Sequence, residues 1–205
     1  MNVRNTCVRI AMCFAIAFAC PVAFAQVVST EDITVTVSIG SPVINLNNLS
    51  FGNTYYARNH ATASATATVS PASVLTHNAG SVGSARLIAI DSGTPNKLRV
   101  NITGGVPTAT MNLSIMDDNT SNPYVSLVGQ TTPADAVFRV DTWTFAIQPG
   151  GGALTFNPTT ATGVVTLNGA GEIDIFFGAT LRTVPSGLSY SAQAYTGTVR
   201  ITANY

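Results

Sequence analysis

The side chains able to do chemistry are few and scattered. Only two histidines occur, His60 and His77, both in polar, loop-like surroundings without the i,i+4 spacing or the acidic company of a zinc site, so exposed loop residues are expected there. Asp117-Asp118-Asn119 is acidic enough to suggest calcium, but the regular oxygen spacing and closing glutamate of a calcium loop are missing, and a solvated turn is expected. Glu172 and Asp174 lie two apart and share one face of a strand, yet no second carboxylate pair stands opposite them for acid-base hydrolysis. No serine sits in a Gly-x-Ser-x-Gly elbow, and neither histidine has a plausible triad partner. Asn48, Asn101, Asn112 and Asn119 open glycosylation triplets, which in a chain of bacterial appearance are accidental matches. The expectation is a protein that is not an enzyme and holds no cofactor and no metal.

The elements that would position any site are strands. Runs rich in Val, Ile, Thr and aromatics recur between Gly, Pro, Asn and Asp clusters, as in "KLRVNITGG", "TATMNLSIMDDNTSNP", "VFRVDTWTFAIQPGGG" and "TGVVTLNGAGEIDIFFGATL". About ten such segments are expected, at the spacing of a sandwich or barrel. "HATASATATVSPAS" alternates Ala with Thr and Ser, which predicts an extended edge strand or a loop and not a helix. Trp143 or Tyr55-Tyr56 is a candidate surface for stacking a sugar, although Trp143, alternating with Phe145 and Ile147, is expected in the core.

Residues 1–25 read as a secretory signal peptide: Arg4 and Arg9 in the leader, an apolar run over 10–19, and the small-x-small ending Ala23-Phe24-Ala25 before Gln26. Cys20 as a lipid acceptor is poorly flanked by Phe18 and Pro21, and the apolar run is too short to span a bilayer comfortably. Cleavage would remove Cys7, Cys13 and Cys20 together, leaving packing alone to hold the fold. The remaining chain carries seven cationic side chains against nine carboxylates, a net charge of −2, far from the basic stripe that nucleic acid requires. The expected product is exported, with no membrane insertion after cleavage.

Two stretches carry a resemblance. "EDITVTVSIGSPVINL" at 31–46 alternates Ile33, Val35, Val37 and Ile39 against Thr34, Thr36 and Ser38, then turns at Gly40-Ser41-Pro42 into a second apolar run. It resembles the mature N-terminus of major subunits of colonisation-factor-type fimbriae, the alpha class of the chaperone-usher pathway. "NLSFGN", "GSARLIAIDSGTPNKLRVNITGG", "IFFGATLRTV" and "AYTGTVRITANY" resemble a family of secreted bacterial β-sandwich domains of unknown function.

The fimbrial resemblance implies an all-β, immunoglobulin-like Greek-key β-sandwich lacking one strand, completed by the N-terminal strand of the next copy. In that arrangement Ile33, Val35, Val37 and Ile39 are the donor-strand plugs, and Val199, Ile201, Ala203 and Tyr205 form the last strand, which contacts a periplasmic chaperone before assembly at an outer-membrane usher. The organisation expected is a leader over 1–25, an N-terminal extension over 26–42, and a sandwich over 43–205. Val199, Ile201, Ala203 and Tyr205 alternate to the chain end, with the tyrosine terminal. A second outcome stays open: residues 33–39 fold back into their own sandwich, and the protein is a monomeric secreted or surface module that binds a glycan or a host protein.

Overall fold

The computed structural model describes residues 42–52, 55–78, 80, 84–90, 93–131 and 134–205. The donor-strand candidates Ile33, Val35, Val37 and Ile39, the leader and all three cysteines lie outside the described residues. Every described element belongs to one compact unit. Among the described residues the fold is all-β and antiparallel, with no helix.

Fourteen strands are described: β1 Val43–Leu46, β2 Tyr55–Arg58, β3 Thr66–Val69, β4 Leu75–Asn78, β5 Arg86–Ala89, β6 Leu98–Thr103, β7 Thr110–Asp117, β8 Val125–Gly129, β9 Phe138–Ile147, β10 Ala153–Asn157, β11 Thr162–Thr166, β12 Ile173–Thr183, β13 Tyr195–Thr196 and β14 Val199–Asn204. An eight-stranded sheet runs β1-β6-β12-β9-β8-β13, with β3 paired to β12 and β4 paired to β3. A four-stranded sheet runs β10-β11-β7-β14, and β2 and β5 form a separate ribbon. Inward side chains of all three share one core, including Val100 and Ile102 of β6, Leu113 and Ile115 of β7, Phe177 of β12 and Leu87 of β5. The two larger sheets therefore form a sandwich.

Strand β12 organises the large sheet. On one side it pairs with β9 along most of its length; on the other it pairs first with β6, over Ile173 to Phe177, and then with β3, over Ala179 to Arg182. The exchange of partners falls at Gly178. A methyl group there would lie 2.7 Å from the Ser70 carbonyl carbon and 2.9 Å from the Pro71 nitrogen, with the Val69 carbonyl oxygen nearer still, so only glycine admits the β3–β4 turn this close.

Opposite the same point β9 carries a bulge. Gly178 faces Thr144 and Thr180 faces Asp141, so Thr142 and Trp143 together oppose Ala179. Thr142 takes up the extra residue at φ 52. The inward phase then changes parity along one strand: Phe138 and Val140 are buried before the bulge, Trp143 after it. Trp143 is 2% exposed and its Nε1 donates to the Pro123 carbonyl at 3.3 Å. Phe145 stays at the rim at 37% exposure, against Phe156 and Phe177.

Five connections cross between the two larger sheets: β6–β7, β7–β8, β9–β10, β11–β12 and β13–β14. Residues 148–152 join β9 to β10 through a turn closed by the Gly151 amide on the Gln148 carbonyl, 3.0 Å. Gly197 and Thr198 alone separate β13 in the large sheet from β14 in the small one, and a Cβ at Gly197 would lie 2.6 Å from the Ser126 oxygen. The Ala-rich stretch is loop over 60–65 and 70–73, within the expectation, but its strand β3 is not an edge, because β12 and β4 flank it. Ala65, Ala67 and Val69 are buried, and their small side chains let β3 lie over the core where larger ones would hold it away.

Gly178→Val should lower stability by about 3 kcal/mol through overpacking against backbone that cannot move aside. Gly169→Ala, where a Cβ meets nothing within 4 Å, should shift it by less than about 0.5 kcal/mol. Urea midpoints of the two variants check this, and equal midpoints would remove Gly178 from the role assigned to it.

Candidate functional site

The residues singled out for catalysis do not converge. His60 lies in the loop after β2, where its Nδ1 accepts from the Thr62 amide at 3.2 Å. His77 is not in a loop: it is an exposed residue of β4, opposite Ala67 of β3, with its ring edge-on to Tyr55 at 6.2 Å. Glu172 precedes β12, and its amide closes a turn on the Asn168 side chain at 3.0 Å. Asp174, on β12, is engaged by Arg99 of β6, whose Nε and Nη2 donate at 2.9 and 2.7 Å. These hydrogen bonds, and then the charge of Asp174, hold the Arg99 guanidinium above its ordinary pKa. The described residues contain no cluster of three or more His, Cys, Asp or Glu side chains able to hold a metal ion.

Asp117 corrects the expectation of a solvated turn. It ends β7 only 3% exposed, and its carboxylate accepts from the amides of Asn119 at 2.9 Å, Thr120 at 3.0 Å and Ser126 at 3.0 Å. Burial alone would raise its pKa; the amides of Ser126, Thr120 and Asn119, with the Thr120 hydroxyl, outweigh it and set the pKa below the ordinary carboxylate value. The group is a staple between β7, its turn and β8. Asp118 beside it is exposed and faces Arg200 of β14 at 3.9 Å.

A second polar cluster was invisible in the one-dimensional pattern. Asp141 accepts from Arg182 Nη2 at 2.6 Å and from its Nε at 3.0 Å, and Arg139 Nε lies 2.9 Å away. Arg139 and Arg182 are direct cross-strand partners on β9 and β12, so Asp141 separates two like charges that would otherwise face each other. The Arg139 guanidinium also lies over the Tyr124 ring, 3.7 Å from its centre.

Aromatic packing fixes the approach to β13. Tyr190 stacks on Phe138 at 4.3 Å, and Tyr195 meets the same ring edge-on at 4.9 Å. The Tyr190 hydroxyl donates to the Val137 carbonyl at 3.0 Å and accepts from the Val184 amide at 3.3 Å. Burial pushes its pKa up to about 12, against the Val184 amide and with a smaller contribution from nearby Tyr195.

The C-terminal strand β14 lies at one edge of the four-stranded sheet. β14 pairs with β7 in the register Val199 to Asp117 through Asn204 to Asn112, and with no other described strand. The Asp118 amide donates to the Thr198 carbonyl at 3.0 Å, which sets the phase of the ladder. Even-numbered residues therefore bond towards β7, and the main-chain groups of Val199, Ile201 and Ala203 face the open edge. Their side chains pack on the core yet remain half-buried. Tyr205 lies past the strand, 50% exposed, and its hydroxyl accepts from the Val106 amide at 2.7 Å. Along β11, β7 and β14 lies a concavity of about 310 Å³ whose lining mixes Val164 with Asn112, Ser114 and Thr202, the last two with hydroxyls 2.6 Å apart.

Tyr55 and Tyr56 do not form one surface, because adjacent residues of a strand face opposite ways: Tyr55 packs on the core and Tyr56 is 52% exposed. Set against known protein families, curated proteins and solved structures, the chain matches none of them.

Because the folded pKa of Asp117 is depressed, its contribution is fully present above the unfolded carboxylate value near 3.8 and is lost as pH falls through the folded value. Asp117→Asn should cost about 1–3 kcal/mol at neutral pH by placing an amide donor against three N–H groups. The same change should flatten the fall of stability below about pH 4. Thermal melts of both proteins between neutral pH and acid check the two statements, and an unchanged acid slope in the variant would show that Asp117 titrates alike folded and unfolded.

Proposed function

We propose that the chain is a structural fimbrial subunit that polymerises by strand addition on a bacterial surface. Its body is an immunoglobulin-like Greek-key sandwich, and residues 33–39 of one copy pair along β14 of the next. The observation that carries this is the open edge of β14. At six residues it is the longest edge strand of the three sheets, its outward main-chain groups lack a described partner, and its inward Val199, Ile201 and Ala203 are incompletely covered. An unprotected edge of this kind is a template for another strand, and strand addition uses its main-chain bonds for affinity and alternate side chains for fit.

The seven residues 33–39 are one more than the six of β14, and Ile33, Val35, Val37 and Ile39 supply the alternating apolar side chains that such an edge accepts. Four aliphatic side chains at about 1.5–3 kcal/mol each amount to roughly 6–12 kcal/mol before ordering costs. In this reading the protein is exported, a periplasmic chaperone holds the β14 edge until an outer-membrane usher exchanges it, and the partners in the fibre are copies of the same chain. The protein performs no catalysis.

Wild-type protein should form SDS-resistant ladders that dissociate only on heating, and Val35→Asp should abolish them, since an unpaired carboxylate in an apolar slot costs several kcal/mol. The melting of the body should be unchanged in the variant, and a synthetic peptide of residues 31–39 should raise it. A wild type that sediments only as a monomer and melts far earlier after Val35→Asp would overturn the proposal in favour of a self-inserted strand and a monomeric binding module.

A further inference from the structure

The described cations are matched to partners with one exception. Arg99 is held by Asp174, Arg139 and Arg182 by Asp141, and Arg200 lies near Asp118, while Lys97 sits over the Phe176 ring at 3.9 Å. Arg58 and Arg86 have no carboxylate among the described residues, and they are direct cross-strand partners on the β2–β5 ribbon. Directly opposed residues share a face with Cβ atoms about 5 Å apart, so this register sets the stems of two arginines side by side, and like charges directly opposite are destabilising. The Arg86 Nε is buried and has no hydrogen-bond partner. At the other such pair, Arg139 opposite Arg182, where the Arg139 Nε is likewise buried without a hydrogen bond, Asp141 lies between the charges; here no carboxylate among the described residues does.

The rest of the ribbon defines its outer surface. Tyr55, Ala57 and Leu87 pack on the core, so Tyr56, Arg58, Arg86 and Ile88 form the opposite face, with Tyr56 paired to Ile88 and Arg58 to Arg86. Tyr56 is 52% exposed. It lies two residues from Arg58, about 7 Å along the strand, roughly the span of one sugar ring.

We propose that the outer face of the β2–β5 ribbon binds an acidic saccharide, its carboxylate or sulfate between Arg58 and Arg86 and a sugar ring against Tyr56. Two guanidinium forks on adjacent strands match a single planar or tetrahedral anion, and the missing counter-charge is the one the ligand brings. A pair of cations on a four-residue ribbon is too small for a nucleic-acid backbone, which needs a stripe. Tyr56 adds an exposed, rigid, amphipathic ring that an isolated ion would not need but a pyranose face would use. This site is independent of strand addition, and its success or failure leaves the assembly proposal untouched.

The test is titration calorimetry on the full mature chain at low salt with three probes: a sulfated uronate tetrasaccharide, a non-sulfated uronate tetrasaccharide and a neutral glucan tetrasaccharide. Saturable binding of at least one acidic probe and none of the neutral one is expected, and the two acidic arms identify the preferred anion. Arg58→Gln and Arg86→Gln should each weaken binding about tenfold or more, with Arg200→Gln, whose cation already faces Asp118, unchanged. Tyr56→Ala should weaken the saccharide while leaving stabilisation of the protein by inorganic sulfate intact. Without ligand, Arg86→Gln should melt no earlier than wild type, because it relieves repulsion and breaks no ion pair. Absence of saturable binding, an equal loss in Arg200→Gln, or an early melt of ligand-free Arg86→Gln would each overturn the assignment.

Discussion

The fold depends on one close backbone approach. At Gly178 the central strand β12 exchanges β6 for β3, and the β3–β4 turn comes so near that no side chain fits between them. With a Cβ in that place, β3 would be displaced, and with it β4, which pairs with no other strand among the described residues. The bulge on β9 answers the same point from the other side, where Thr142 at φ 52 takes up the extra residue and turns Trp143 inward. One glycine and one bulge thus let an eleven-residue strand serve three neighbours without breaking its ladder.

Around this frame, charge is used locally. Asp141 lies between the paired arginines of β9 and β12, and Asp117 gathers three amides where β7 turns towards β8. Each carboxylate is largely removed from water and each is compensated by several donors, the condition under which a buried charge is tolerated. The few ions in the body thereby hold turns and register, while apolar packing supplies cohesion. The Arg58–Arg86 pair departs from this rule, since no carboxylate among the described residues lies against it.

The edges have different characters. β13 is two residues long, β1 and β4 are four each, and short edges limit pairing with other chains. β14 is longer, its apolar row is half-buried, and the sheet exchange at Gly197-Thr198 delivers it to the rim of the small sheet. β10, the other edge of the small sheet, is five residues long, one fewer than β14.

The all-β texture and the alternating pattern of the last strand were legible in the chain, because period-two alternation is a local property. Val199, Ile201 and Ala203 lie where their alternation placed them, and Trp143 is buried as its neighbours suggested. The alternation could not show that the Ala-rich stretch would be flanked on both sides, since its small side chains matter only once β12 and β4 are beside it. Likewise His77 became a strand residue, Asp117 a buried staple, and Tyr55 and Tyr56 parted to opposite faces. Arg58 and Arg86 are 28 positions apart and carry no mutual signal in one dimension. Only strand register brings them face to face, because contact between distant residues is decided by which backbones share hydrogen bonds and not by the residues themselves.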